Sequence, residues 1–230
     1  MTFSPIPPLC SQTVPGFNTS YSLASVVQRM FNVERIEHMS PHRLDLATSG
    51  IVVFARNLKA LRGLSEQFRE RRVRKRYSAI VNGTWSRDSR GEMDLPIGRD
   101  SLIGPPCFTI DPIEGRPAST RWEVREKGKK CTHLSLEPLT GRTHQLRLHC
   151  AAVGHPILGD FLYSPPDVFL ASSRLLLHAE ELSLVHPETK MQMSLHAPTP
   201  FSLQEYDEVD DSADVYNDSG DDIEPQAAPR

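Results

Sequence analysis

The apolar residues of this chain fall in short runs with strand period, and only a few isolated helical stripes interrupt them. Ile51-Val52-Val53-Phe54 is apolar on both faces, and Tyr77 to Val81 ends at the turn pair Asn82-Gly83. Ser119 to Val124 forms a further run, and Thr132 to Glu137 alternates as a half-buried strand would. Leu182 and Leu184, then Met191, Met193 and Leu195, alternate again before Pro198 and Pro200 close the pattern. Three stripes have the helical period instead. Leu23, Val26, Val27 and Met30 are spaced as one face of a helix; Leu58, Leu61, Ser65 and Phe68 follow Asn57, which can cap; and Thr143 to Val153 would turn Leu146, Cys150 and Val153 inward. Strands broken by isolated helices, without a regular strand-helix repeat, predict an α+β domain around a mixed or antiparallel sheet flanked by helices and loops. Trp85 to Pro117 is rich in Gly, Pro and Asp and has no period, so it reads as loops and short strands decorating that core.

Charge marks where the fold should end. Residues 204–230 hold ten Asp or Glu against one Arg, a net −9, which leaves the remainder at +6. A segment so acidic and so poor in aliphatic residues cannot bury enough surface to offset its ordering entropy, so the expected division is a folded domain over 1–203 and a disordered tail over 204–230. The positive body suits a polyanionic partner. No apolar run of 18 residues predicts a membrane helix, and Met1 to Gln12 shows neither a secretory nor a transit pattern. A cytoplasmic setting is therefore expected first, with organellar and nuclear ones left open. Cys10, Cys107, Cys131 and Cys150 form no Cys-x-x-Cys pair and read as reduced thiols. His144 and His149 are five apart with no carboxylate at ligand spacing, so no metal site is expected.

The segment His42-Arg43-Leu44-Asp45-Leu46-Ala47-Thr48-Ser49-Gly50 sets a carboxylate beside a cation and follows both with a turn. Alone, it is ordinary turn chemistry, an Asp satisfying its own backbone. Three further segments stand with it in order: Arg74-Lys75-Arg76-Tyr77-Ser78-Ala79; Pro138-Leu139-Thr140-Gly141-Arg142-Thr143-His144-Gln145-Leu146-Arg147-Leu148-His149, continued by Gly154-His155-Pro156-Ile157-Leu158-Gly159-Asp160; and Leu175-Leu176-Leu177-His178-Ala179 with the strand after it. Together, over roughly residues 10–201, they resemble the RluA family of RNA pseudouridine synthases. In one respect the chain departs from that pattern, because only Val14-Pro15-Gly16 resembles the end of the family's first strand and loop. Either the N-terminal element is abbreviated, which would leave a sheet edge unpaired, or Met1 to Leu9 replaces it in a way the sequence does not reveal.

What the resemblance implies is an extended mixed sheet crossed by a cleft, in which uridine of structured RNA, tRNA or rRNA stem-loops, becomes pseudouridine. The glycosidic bond breaks, the base turns, and a carbon-carbon bond forms, with no metal, redox or nucleotide cofactor required. By the same resemblance Asp45 is the catalytic carboxylate, and an Asp with a reference pKa of about 3.9 is charged at neutrality. Arg147 resembles its basic partner, a pairing that lowers a carboxylate pKa by about 1 to 3 units. Tyr77 would stack on the base and assist proton removal. Arg43 would fill the space left by an extruded nucleotide. Arg71, Arg72, Arg74, Lys75 and Arg76, with Arg142 and His144, would hold the RNA backbone, although a basic run taken alone is more often a solvated helix end. The expected partner is thus structured RNA, bound by a monomer without membrane or metal. A non-catalytic RNA-binding or RNA-chaperone protein that keeps the fold is the competing class.

Overall fold

Residues 2–6, 23–31, 39–86, 88–100, 102–103 and 107–207 are described in the computed structural model. Strand β2 (Ser49–Phe54) is buried at all six positions, and its neighbours explain why it is apolar on both faces. Val52 and Phe54 pack with Leu23, Ala24 and Val27 of α1 (Leu23–Phe31), whereas Ile51 and Val53 pack with Ala60 and Leu64 of α2 (Leu58–Arg69). The caps agree with the sequence: Asn57 Oδ1 accepts the Ala60 N–H at 2.8 Å, satisfying an orphan donor of α2. The buried face of α2 differs from the expected one. Ala60, Leu64 and Gln67 face the core and Leu58 is exposed, because the Gln67 side-chain amide clasps the backbone of Val185, donating at 2.8 Å and accepting at 2.9 Å. In α1, likewise, Met30 is exposed and Ala24 takes its place in the core.

The remaining strands are β1 (Thr2–Ile6), β3 (Arg74–Asn82), β4 (Arg90–Asp94), β5 (Ile97–Arg99), β6 (Phe108–Ile110), β7 (Ser119–Lys127), β8 (Cys131–Pro138), β9 (Leu177–Val185) and β10 (Gln192–His196). They form an eight-stranded sheet in the order β1-β2-β9-β3-β8-β7-β4, with β10 beside β9, and a separate β5-β6 pair. Among the described residues only β2 and β9 pair in parallel, so the sheet is mixed, one of the two arrangements that the strand pattern left open. The edge beside β2 is filled: β1 pairs antiparallel with β2 from Thr2↔Phe54 to Ile6↔Gly50. Helix α3 (Gln145–Ala152) starts two residues later than the pattern suggested, since His144 adopts a left-handed φ of 56°. Its Leu146 and Cys150 enter the main core with Leu134, Leu136 and Ile80, and Val153 packs at the margin. Strand β8 is buried on both faces along most of its length rather than half-buried, being central between β3 and β7.

Two short helices, α4 (Pro166–Leu170) and α5 (Gln204–Asp207), complete the fold. The second lies past the boundary expected at 203. Asp207 accepts backbone N–H groups of Lys129 (2.9 Å), Lys130 (2.8 Å) and Cys131 (3.3 Å), so residues 204–207 close the β7-β8 turn and belong to the body. The tail expected beyond them, 208–230, and the Val14-Pro15-Gly16 segment lie outside the described residues.

Candidate active site

The loop ahead of β2 alternates anchored and presented residues. His42 is anchored: its Nε2 accepts the Val53 N–H at 2.9 Å, and its ring stacks on Phe68 with centroids 4.6 Å apart. Burial, helped by the nearby Lys75 ammonium, pulls the His42 pKa down to about 3, so the ring is neutral. Leu44 is buried as well. Between and after these anchors Arg43 is exposed and Asp45 half-buried. The Asp45 carbonyl then accepts the Thr48 N–H at 3.0 Å, closing the turn. Gly50 follows at φ +117°, where a Cβ would lie 2.3 Å from the Ala179 carbonyl oxygen. Only glycine lets β2 come this close to β9. Behind the turn, Arg174 donates to Ser49 Oγ at 2.5 Å; Ser49 in turn donates to His178 Nδ1 at 2.8 Å, and the His178 Nε2–H reaches the Ala197 carbonyl at 3.2 Å.

Tyr77 arrives from the other side through an irregularity. The β3-β9 register shifts between Arg76 (opposite Glu181) and Tyr77 (opposite Ala179), leaving Glu180 as the extra residue. Such a bulge re-aims the side chains beside it. Ala179 is thus the backbone that both Gly50 and Tyr77 oppose, and it draws Asp45 and Tyr77 to one place. They line a cavity of about 660 Å³ whose wall includes Thr48 and Leu146, and whose rim carries Arg43, Arg71, Arg74, Lys75 and Arg142. Burial raises the Tyr77 pKa above the phenol range and the Asp45 charge adds to it, so the hydroxyl stays protonated. A carboxylate, a neutral phenol and a cationic rim suit a site that cleaves a polar bond in a polyanion.

Of the residues singled out from sequence, Asp45, Tyr77, Arg43, Arg71, Arg74, Lys75 and Arg142 meet at this cavity, whereas Arg72, Arg76, His144 and Arg147 do not line it. Arg72 pairs with Glu70 at 2.7 Å and Arg76 with Glu181 at 3.1 Å, both in exposed settings worth little. Arg74 reaches Glu137 at 3.4 Å, and Arg142 donates to the Pro117 carbonyl at 3.1 Å. His144 is tied through Nδ1 to the Tyr163 hydroxyl at 2.6 Å; burial lowers its pKa, against which the Asp45 charge is the strongest opposing influence. Arg147, expected to partner Asp45, is 1 % exposed, and its Nε and Nη2 bind Asp160, thirteen residues downstream, at 2.7 and 2.5 Å. Among the described residues no group of three or more His, Cys, Asp or Glu could hold a metal.

Some contributors escaped sequence reasoning. Gln145 shapes the turn before α3: its Oε1 accepts from Thr140 Oγ1 (2.6 Å) and the Arg142 N–H (3.0 Å), while its Nε2 donates to Ser119 O and Thr120 Oγ1. Thr48 lines the cavity with a buried hydroxyl that has no partner among the described residues.

The arrangement has relatives. Residues 12–152 match the family described as RNA pseudouridylate synthase. This chain belongs to that family. It is 48 % identical to the dual-specificity RNA pseudouridine synthase RluA of Haemophilus influenzae over 191 residues, 82 % of this chain and 85 % of that one. To the same-named protein of Escherichia coli K12 it is 45 % identical over 166 residues, covering 70 % and 74 % of the two chains. Among solved structures, human RNA pseudouridylate synthase domain containing 1 superimposes with a TM-score of 0.69 at 34 % identity, covering 79 % of this chain and 75 % of that one. The fold and the reaction class implied by the motifs are therefore those of an RNA pseudouridine synthase, an isomerase of RNA. None of these matches favours the non-catalytic alternative. Nor, among the described residues, is any helix long and apolar enough to cross a membrane.

Proposed function

We propose that this enzyme converts uridine to pseudouridine in stem-loops of tRNA and rRNA, with Asp45 attacking or stabilising the sugar carbon as the glycosidic bond breaks. The observation that carries the assignment is the meeting of Asp45 and Tyr77 in one cavity rimmed by arginines. A volume of about 660 Å³ admits a nucleotide but not a duplex, so the uridine must leave its stack. That extrusion costs a few kcal/mol, least where the base is loosely held. Arg43, exposed beside Asp45, takes the vacated space, and Arg71, Arg74, Lys75 and Arg142 hold phosphates. Arg72, Arg76 and His144 act further out, on RNA that extends beyond the cavity. Tyr77 stacks on the base; being neutral, it serves as a hydrogen-bond donor before it serves as a base. Dual specificity in the name of the Haemophilus and Escherichia relatives supports more than one RNA as substrate. We take the enzyme to act as a monomer, and the isomerisation, which changes no oxidation state, to need no metal.

Tritium release from uridine-labelled tRNA and rRNA transcripts tests this directly. Asp45→Asn preserves shape and removes the charge, so pseudouridine should become undetectable while RNA affinity stays within roughly three-fold, phosphate contacts supplying most of it. Turnover by the variant near the wild-type rate would refute the nucleophile assignment.

A further inference from the structure

Arg147 and Asp160 form an ion pair that stability does not explain. Both side chains are at most 2 % exposed, and removing two charges from water costs about as much as their attraction returns, so a buried pair is commonly no better than apolar residues of the same volume. This pair is nonetheless held from every side. Asp160 takes the Arg147 Nε and Nη2 hydrogens and also accepts the Leu162 and Tyr163 N–H groups at 2.9 and 3.2 Å, so both carboxylate oxygens are held. The rings of Phe161 and Tyr163 lie 5.5 and 5.0 Å from the guanidinium carbon. The loop carrying Asp160 is itself fixed to the sheet: the Leu158 N–H reaches Ile80 O at 3.0 Å, and Gly159 sits at φ +75°, where a Cβ would strike the Arg174 carbonyl. Of the three guanidinium nitrogens, only Nη1 is without a protein partner among the described residues, and it is not sealed from solvent. Leu146, the residue before Arg147 on the same helix, lines the same cavity as Asp45, which sets this end of α3 beside the catalytic carboxylate.

We infer that Asp160 is a positioning residue for the isomerisation: it locks the Arg147 guanidinium in one orientation, with the Nη1 edge alone left to face Asp45 from behind the cavity wall. A rigid bidentate clamp suits a planar guanidinium. The inference rests on the function proposed above, and wild type and Asp45→Asn serve as its controls: if wild type forms no pseudouridine in any RNA, that function fails, whatever Asp160 does.

With an active wild type, the test is a double-mutant cycle measured in single turnovers well below each melting temperature. Asp160→Asn, which keeps the shape but loses the charge, should slow turnover by at least about tenfold, since small misplacements of a catalytic group cost up to 10²-fold, and should leave RNA affinity within roughly three-fold because phosphate contacts set it. In an Arg147→Met background the same change should cost nothing further, the mark of a residue that acts through its neighbour. An Asp160→Asn enzyme that melts earlier but turns over within about two-fold of wild type would make the pair purely structural, and an equal loss in both backgrounds would mean that Asp160 acts independently of Arg147. If Asp160→Asn does not fold, the apolar pair Arg147→Met with Asp160→Leu, which leaves no charge buried, replaces it: full activity overturns the inference, and a loss equal to that of Arg147→Met alone upholds it.

Discussion

His42 illustrates how one side chain can hold the catalytic loop through its uncharged state. Its Nε2 must be unprotonated to accept the Val53 N–H, and folding keeps it so down to about pH 3, whereas the unfolded chain takes up the proton near pH 6.5. The stability contributed by neutral His42 is therefore complete above pH 6.5 and is lost as the pH falls from there towards 3. His133, His149 and His178, whose pKa values burial also lowers, add to the same acid window. Thermal melts between about pH 7 and pH 4 should show Tm falling more gently for His42→Gln, which keeps an acceptor without a titrating ring, than for wild type; superimposable slopes would remove His42 from the acid response. At this scale the sequence showed Asp45 and Arg43 sharing a turn, but only the resemblance gave them and Tyr77 a role. The contact of Arg147 with Asp160 was not legible, since a distant loop rather than spacing decides which carboxylate reaches it.

Among the elements, β2 and β9 set the site by how closely they run. Their parallel contact at Gly50 and Ala179 leaves no room for a methyl group and demands a positive φ. For Gly50→Ala both penalties apply, backbone strain of about 1–3 kcal/mol and overpacking of similar size. We expect Tm to drop by roughly 6–12 °C and single-turnover activity to be lost with it; a variant that melts and reacts like wild type would show that the strands can part without harm. Strand periods predicted the large elements well. What they missed were faces decided by a polar contact, as in α2, where Gln67 clasps β9 and turns Leu58 outward. Apolar counting has no means of detecting a glutamine that binds a sheet edge. The N-terminal strand was missed for a related reason: Thr2 to Ile6 includes Ser4 and Pro5, poor strand signals that an edge position tolerates.

For the whole molecule, Asp207 separates two roles of the C-terminal segment. Truncation after Leu203 removes the acceptor of three backbone N–H groups at the β7-β8 turn, while truncation after Asp207 removes only the remaining acidic residues, which carry eight Asp or Glu and one Arg. The shorter protein should melt roughly 2–4 °C earlier, the longer one at the wild-type temperature. Both should bind non-specific RNA several-fold more tightly at low salt if the acidic stretch competes for the basic rim, and the gain should vanish as salt shortens the Debye length below about 8 Å. Parallel salt titrations with no offset would leave the tail as a solubilising segment. Composition revealed the acidic run but not the short helix at its start, because charge says nothing of a single carboxylate that caps a turn.

The bulge at Tyr77 does not stand alone. Strand β7 has its own register shift between Val124 and Glu126, and the residue it leaves over, Arg125, forms a two-pronged ion pair with Glu180, the residue left over on β9. Two length irregularities, on strands separated by β8 and β3, are thus braced against each other. Substitutions in these strands alter one contact, whereas losing a single residue at either bulge would regularise one ladder, unseat the partner's charge and, on β9, change what Tyr77 opposes. Point changes should therefore be tolerated through this stretch far better than one-residue insertions or deletions. A deletion scan scored by soluble yield should find its deepest troughs at Arg125 and Glu180, and a uniform profile along both strands would show that the two bulges are independent.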